Sequence, residues 1–117
     1  MSDDKEPVAI MEALKLSSLN KAYIENHINK LLVNYDPLGY PSACLIMYVT
    51  CKEFGGFWES FVEYIVNYEF PFSIEEVFKE ADSGYTESRN AYILLCRSGK
   101  PILLSFHAIH MQKKGEL

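Results

Sequence analysis

The sequence predicts a single α+β domain over residues 1–117, mostly helical with four to five helices and closed by a C-terminal β-hairpin. Three observations lead there. Apolar side chains recur at helical spacing through residues 24–35. Two apolar runs, 91–96 and 101–106, flank the turn dipeptide Ser98-Gly99. A chain of 117 residues with 49% hydrophobic content is one domain's worth of sequence, because domains run to about 100–150 residues. It buries roughly two-thirds of its unfolded surface and needs no disulfide or metal to fold.

Residues 1–6, Met1-Ser2-Asp3-Asp4-Lys5-Glu6, are polar and acidic. They read as a disordered tail and not as a secretory leader. Residues 7–16 are predicted as a short helix with Ile10, Met11 and Leu14 on one side. Over residues 18–35, Ile24, Ile28, Leu31, Leu32 and Tyr35 form a single helical stripe, with Glu25, Asn26, Asn29 and Lys30 opposite. Ser18 is the predicted N-cap, and Asp36-Pro37-Leu38-Gly39 the stop, because the residue before a proline is disfavoured from helical geometry.

Residues 42–51 are apolar on every side, so periodicity alone does not separate a buried helix from a buried strand. A capping Ser42 after Pro41, and Gly55-Gly56 after Phe54, favour a helix. In residues 57–68, Glu59, Ser60, Glu63 and Asn67 share a polar stripe, while Trp58, Phe61, Val62, Ile65 and Tyr68 fill the rest, as in a mostly buried central helix. Ser73 followed three residues later by Glu76 is a capping box, predicting a short helix to Ala81.

The hairpin register follows from a two-residue turn: Arg97 opposite Lys100, Cys96 opposite Pro101, Leu95 opposite Ile102, Ile93 opposite Leu104. Pro101 then needs no partner for its missing N–H, which places its outer side at a sheet edge. Ile93, Leu95, Ile102, Leu104 and Phe106 share one face, and Tyr92, Leu94, Cys96, Pro101 and Leu103 the other. Both faces are apolar, and one helical layer covers only one of them. The sequence therefore predicts an uncovered face, with Tyr92, Leu94 and Leu103 as self-association residues of a homodimer.

Chemistry-bearing motifs are sparse. Cys44, Cys51 and Cys96 lie in apolar runs without a CxxC, and their odd number fits buried thiols in a reducing, cytoplasmic compartment. No zinc-type spacing occurs, so no metal or cofactor is expected. Cys96 and His107 or His110 sit at opposite ends of the predicted hairpin, and His107 and His110 fall on opposite strand faces. No enzyme is expected. No apolar run reaches the ~20 residues of a membrane helix, and no membrane partner is expected. No residue motif carries a family resemblance.

Charge is the informative feature. The chain carries a net −5, and residues 53–87 hold nine carboxylates against Lys79 alone. Residues 88–117 carry five Lys/Arg against Glu116. Aromatics interleave with the acidic residues, which suits a basic protein partner such as a toxin, a nuclease or a nucleic-acid-binding protein. Nucleic acid itself would be repelled. The function this predicts is a small acidic protein-binding module of the inhibitor, immunity or antitoxin kind. Its partner-binding residues are Glu59, Glu63, Glu75, Glu76 and Glu80, with Tyr64 and Phe72 as anchors. The competing reading makes residues 73–111 a winged-helix DNA-binding unit, with residues 86–98 as its recognition helix.

Overall fold

Backbone pairing, not helix packing, organises this chain. The computed structural model describes residues 10–34, 41–82 and 84–111. Among them lie five strands and two helices: β1 (Ile10–Leu16), α1 (Lys21–Asn29), β2 (Ser42–Val49), α2 (Phe54–Val66), β3 (Ser73–Ala81), β4 (Ser88–Arg97) and β5 (Lys100–His110). A π-helical turn, Lys30–Asn34, extends α1. The strands form one mixed sheet in the order β1-β2-β5-β4-β3.

This corrects the mostly helical expectation of four to five helices. Residues 10–16, 42–49 and 73–81, all predicted helical, are strands. Each has a physical reason. In β1 the residues alternate, Leu14 and Leu16 buried against exposed Met11, Ala13 and Lys15, so the period is two. β2 is parallel to β1 on one side and to β5 on the other, and an inner strand of that kind reads as a continuous apolar run. The capping box at Ser73 is a local preference worth about 1 kcal/mol. It yields to the outer ladder of β4, whose N–H and C=O groups β3 satisfies through an antiparallel pairing with two register shifts. Gly55 and Gly56 open α2 instead of ending a helix over residues 42–51.

The hairpin forms in the register read from its turn, Arg97↔Lys100 through Ser88↔Ile109. It does not close the fold from one end, however. β5 is the middle strand, and its other edge pairs with β2 from Ser42↔Leu103 to Val49↔His110. Pro101 lies just before that parallel ladder begins, which is why a proline sits within a central strand at no cost in ladder bonds.

α1 and its π-helical turn carry the chain between the parallel neighbours β1 and β2, a crossover that parallel pairing demands. The α1 cap is Asn20, whose side chain accepts from the Tyr23 N–H at 3.1 Å, not Ser18. α2 carries the chain from β2 to the far edge at β3. Both helices pack on the same sheet face. There Ile24, Ile28, Leu32, Phe57, Phe61 and Ile65 meet Leu45, Met47, Leu95, Leu104 and Phe106 in one buried cluster. Phe61 packs edge-to-face on Phe106 at 5.4 Å. Each such side chain contributes roughly 1.5–3 kcal/mol by leaving water. The stop signal at residues 36–39 and the tail at 1–6 lie outside the described residues.

At the hairpin tip Ser98 has φ 51° and Gly99 φ 80°, so both turn residues are left-handed, as a type I′ turn requires. Glycine adopts this freely and serine does not. Ser98→Asn should stabilise the domain by about 0.5–1 kcal/mol, because asparagine tolerates that region. Urea unfolding checks it, and a midpoint shifted to lower urea would contradict the turn assignment.

Candidate functional site

α1 and α2 meet side by side over the sheet, and the seam between them opens into a cleft of about 740 Å³. One wall is built by Tyr64 on α2 and Tyr68 just past the end of that helix, with ring centroids 5.9 Å apart. Tyr68 is held in turn by an edge-to-face contact with Phe70 at 4.9 Å. Across the seam the Tyr64 hydroxyl donates to Glu25 Oε2 of α1 at 2.5 Å. Lys21, at the start of α1, places its ammonium 5.4 Å from the centre of the Tyr64 ring. Glu63 and Glu69 also line the cleft.

The electrostatics follow. Burial, the Glu25 hydrogen bond and the Glu25 charge all push the Tyr64 phenol up, and burial and Glu25 push the Tyr68 phenol up. Both rings therefore stay neutral at any ordinary pH. The cleft's charge comes from Glu25, Glu63 and Glu69, opposed by Lys21 alone. A negative rim over π-faces attracts cations, and Lys21 already occupies the position such a cation takes.

The residues singled out from the sequence do not converge on one surface. Glu63 and Tyr64 line the cleft, and Glu59 is exposed one helical turn before Glu63. Glu76 pairs with Leu94, on the sheet face away from the helices, and Glu75 is exposed at the adjoining register shift. Glu80 accepts a 2.7 Å hydrogen bond from Trp58 Nε1, tying the β3 edge to α2. Phe72 is half-buried against the core, with the Arg97 guanidinium 5.8 Å from its ring centre. Lys21, Glu25, Tyr68 and Glu69 escaped the sequence reading. Glu25 lies on what reads as the solvent stripe of its helix, and only the approach of α2 makes it part of a wall. The i, i+4 spacing of Tyr64 and Tyr68 was the available signal.

The opposite sheet face is different. β2 contributes Cys44, Ile46 and Tyr48, β4 contributes Asn90, Tyr92, Leu94 and Cys96, and β5 contributes Leu103, Ser105, His107 and Ile109. Tyr92, Leu94 and Leu103 of the predicted self-association face all lie here, with Leu94 directly opposite Leu103. His107 Nδ1 is 2.8 Å from Asn90 Oδ1.

His110 stands on the helix side, stacked on Phe54 at 4.9 Å, with Nδ1 2.6 Å from Glu87 Oε1 and Nε2 2.8 Å from the Cys51 carbonyl. Cys96 and His107 share the open face but are six strand positions apart, about 20 Å, so they form no nucleophile–base pair. Cys44, Cys51 and Cys96 are free thiols, and burial pushes the Cys44 thiol up, away from the reactive thiolate. Among the described residues no group of three or more His, Cys, Asp or Glu is placed to hold a metal ion. Among them, too, no helix is long and apolar enough to cross a membrane.

No protein-family model, curated protein or solved structure matches this chain. The site must be read from its own chemistry.

Burial also lowers the His107 pKa from its ordinary 6.5. The folded state thus holds the neutral imidazole, while the unfolded chain takes up a proton near 6.5. The stabilisation is present above that pH and is lost as pH falls below it. Relative to His107→Gln, the natural protein should lose unfolding free energy between pH 7.5 and 5.5. Denaturation of both across that range tests it, and parallel profiles would remove His107 from the account.

Proposed function

We propose that this protein is a binding module that receives a basic segment of a partner protein in the cleft between α1 and α2. The observation that carries the reading is Lys21, an ammonium resting over the Tyr64 ring beside Glu25. The cleft supplies a neutral aromatic wall for the cation's flat contact and carboxylates for its charge. An incoming arginine stacks on Tyr68, or on Tyr64 in the place of Lys21, and pairs with Glu63 or Glu69 at the rim. Glu59 extends the same negative field along α2 and steers approach.

A module of this kind acts by occlusion, as an inhibitor, immunity or antitoxin-type protein that covers the basic working surface of a toxin, nuclease or nucleic-acid-binding protein. It needs no chemistry of its own. The three free thiols support a reducing, cytoplasmic setting. The described residues of 73–111, which the winged-helix reading needs as a helix pair with a wing, form β3, β4 and β5, with no helix among them to enter a groove. That reading is therefore set aside.

The test uses an arginine-rich peptide as probe, with an acidic peptide of equal length as control. Association with the basic peptide should slow by ~10-fold in a Glu63→Lys, Glu69→Lys variant, and by a similar factor when salt is raised from 50 to 500 mM, both being about steering and screening. Dissociation should barely change. Tyr68→Ala should do the reverse, speeding dissociation by ~5–10-fold for the loss of about 1 kcal/mol of aromatic contact. Equal binding of both peptides, or indifference to salt and to these carboxylates, would overturn the reading.

A further inference from the structure

We infer that the sheet face opposite the helices is the seat of a second copy of this chain, giving a symmetric dimer held by face-to-face sheet packing. Three facts carry it. First, the three inner strands present no charged side chain on this face: Ile46, Tyr48, Tyr92, Leu94, Leu103 and Ile109 dominate, and the small or neutral polar members are Ser42, Ser88, Ser105, Asn90 and His107. Asn90 and His107 share a hydrogen bond, Oδ1 to Nδ1 at 2.8 Å. Charge appears only on the outer strands, as Lys15 on β1 and Glu76 and Lys79 on β3. A charged partner finds nothing to pair with at the centre, whereas an uncharged apolar face is its own complement.

Second, the area fits. Five strands at ~4.8 Å spacing span ~24 Å, and strands of this length run ~23–36 Å, so the face measures about 700 Å² before side-chain relief is added. A stable interface takes about 800 Å² from each partner. A second sheet stacked ~10 Å away covers the whole of it in the aligned sandwich arrangement.

Third, among the described residues no other element covers this face. Both described helices lie on the other face. Of the segments outside the described residues, the two terminal ones, 1–9 and 112–117, are rich in charge, with Asp3, Asp4, Lys5 and Glu6 in one and Lys113, Lys114 and Glu116 in the other. Neither suits an uncharged apolar surface. Leu103, at 36% exposed, and Met11, at 59%, mark where cover is missing.

Sedimentation velocity of the full chain from 1 to 100 µM tests this. The expected particle has twice the 13.4 kDa of one chain. Leu94→Lys and Leu103→Lys each enter a two-fold interface twice, so each should raise the dimer dissociation constant by ~100-fold or more, with an unchanged far-UV spectrum. If Leu94→Lys fails to fold, the more exposed Leu103→Lys alone decides. The Glu63→Lys, Glu69→Lys variant should remain dimeric, which separates failure of this interface from failure of the cleft. A natural chain that stays monomeric at 100 µM overturns the proposal, as does a dimer indifferent to both folded leucine variants. A monomer that cosediments with neutral phosphatidylcholine vesicles would overturn it in favour of a lipid surface.

Discussion

β5 is hydrogen-bonded along both edges, antiparallel to β4 and parallel to β2, and the placement of every other element depends on that double ladder. The antiparallel side is cheap to form, since the Ser98-Gly99 turn brings the strands together locally. The parallel side joins residues far apart in sequence, and its closure draws α2 into the return path from β2, while the parallel pairing of β1 with β2 makes α1 a crossover. The two helices, of nine and thirteen residues, are each about 10 Å wide, and side by side they cover about 20 Å. A five-stranded sheet is ~24 Å wide. Covering one face therefore uses both helices, and the second face is left bare as a consequence of strand count and not as a local feature.

Elements whose signal is local were legible in the sequence. The hairpin was readable to the residue pair because turn length fixes register. The stripes of α1 and α2 were readable because each helix buries one side only. The strands misread as helices lacked a usable local signal. In β2 both faces are apolar, so the run has no period. In β3 the local signal points the wrong way: Ile74, Val77 and Phe78 would form a helical stripe below a capping box. On the strand only Phe78 reaches the core, while Ile74 and Val77 stay 49% and 67% exposed. A helix would have buried all three. The strand prevails because the outer edge of β4 would otherwise keep a row of unpaired backbone groups. The Glu and Lys residues that imitated a helix face are those that guard an edge strand against further pairing.

The site was legible in part for a related reason. Acidic charge and aromatic content over residues 53–87 are compositional, and they survive a wrong secondary structure. Their geometry does not. Treating residues 73–81 as a helix beside α2 brings Glu75, Glu76 and Glu80 toward Glu59 and Glu63, whereas the strand turns Glu76 to the far face and fixes Glu80 on Trp58. What remains of the constellation, Glu63 and Tyr64, acquires partners from α1 that only tertiary packing supplies. Phe72 shows the same limit from the apolar side: a phenylalanine in a turn reads as exposed, yet the end of β4 lends it Arg97 as a lid.

The two surfaces lie on opposite sides of one thin molecule, and that arrangement constrains how they combine. The cleft belongs to the helix layer, with its negative rim on solvent. The bare face belongs to the other side of the sheet, neutral at its centre. Pairing two copies through the bare faces leaves both clefts on the outer surfaces, pointing away from each other, so each is as open in the dimer as in one chain. Neither surface competes with the other, because the cleft works through charge and cations and the face through the exclusion of water. The −5 charge of each chain also sets the balance between them. Like-charged copies repel at long range, and on the helix layer α2 carries Glu59 and Glu63 with no basic residue. Face-to-face packing keeps the two α2 helices at the greatest distance that contact allows, across two sheets instead of side by side. A dimer joined through the helix layers would bring the acidic clefts together and bear the full repulsion.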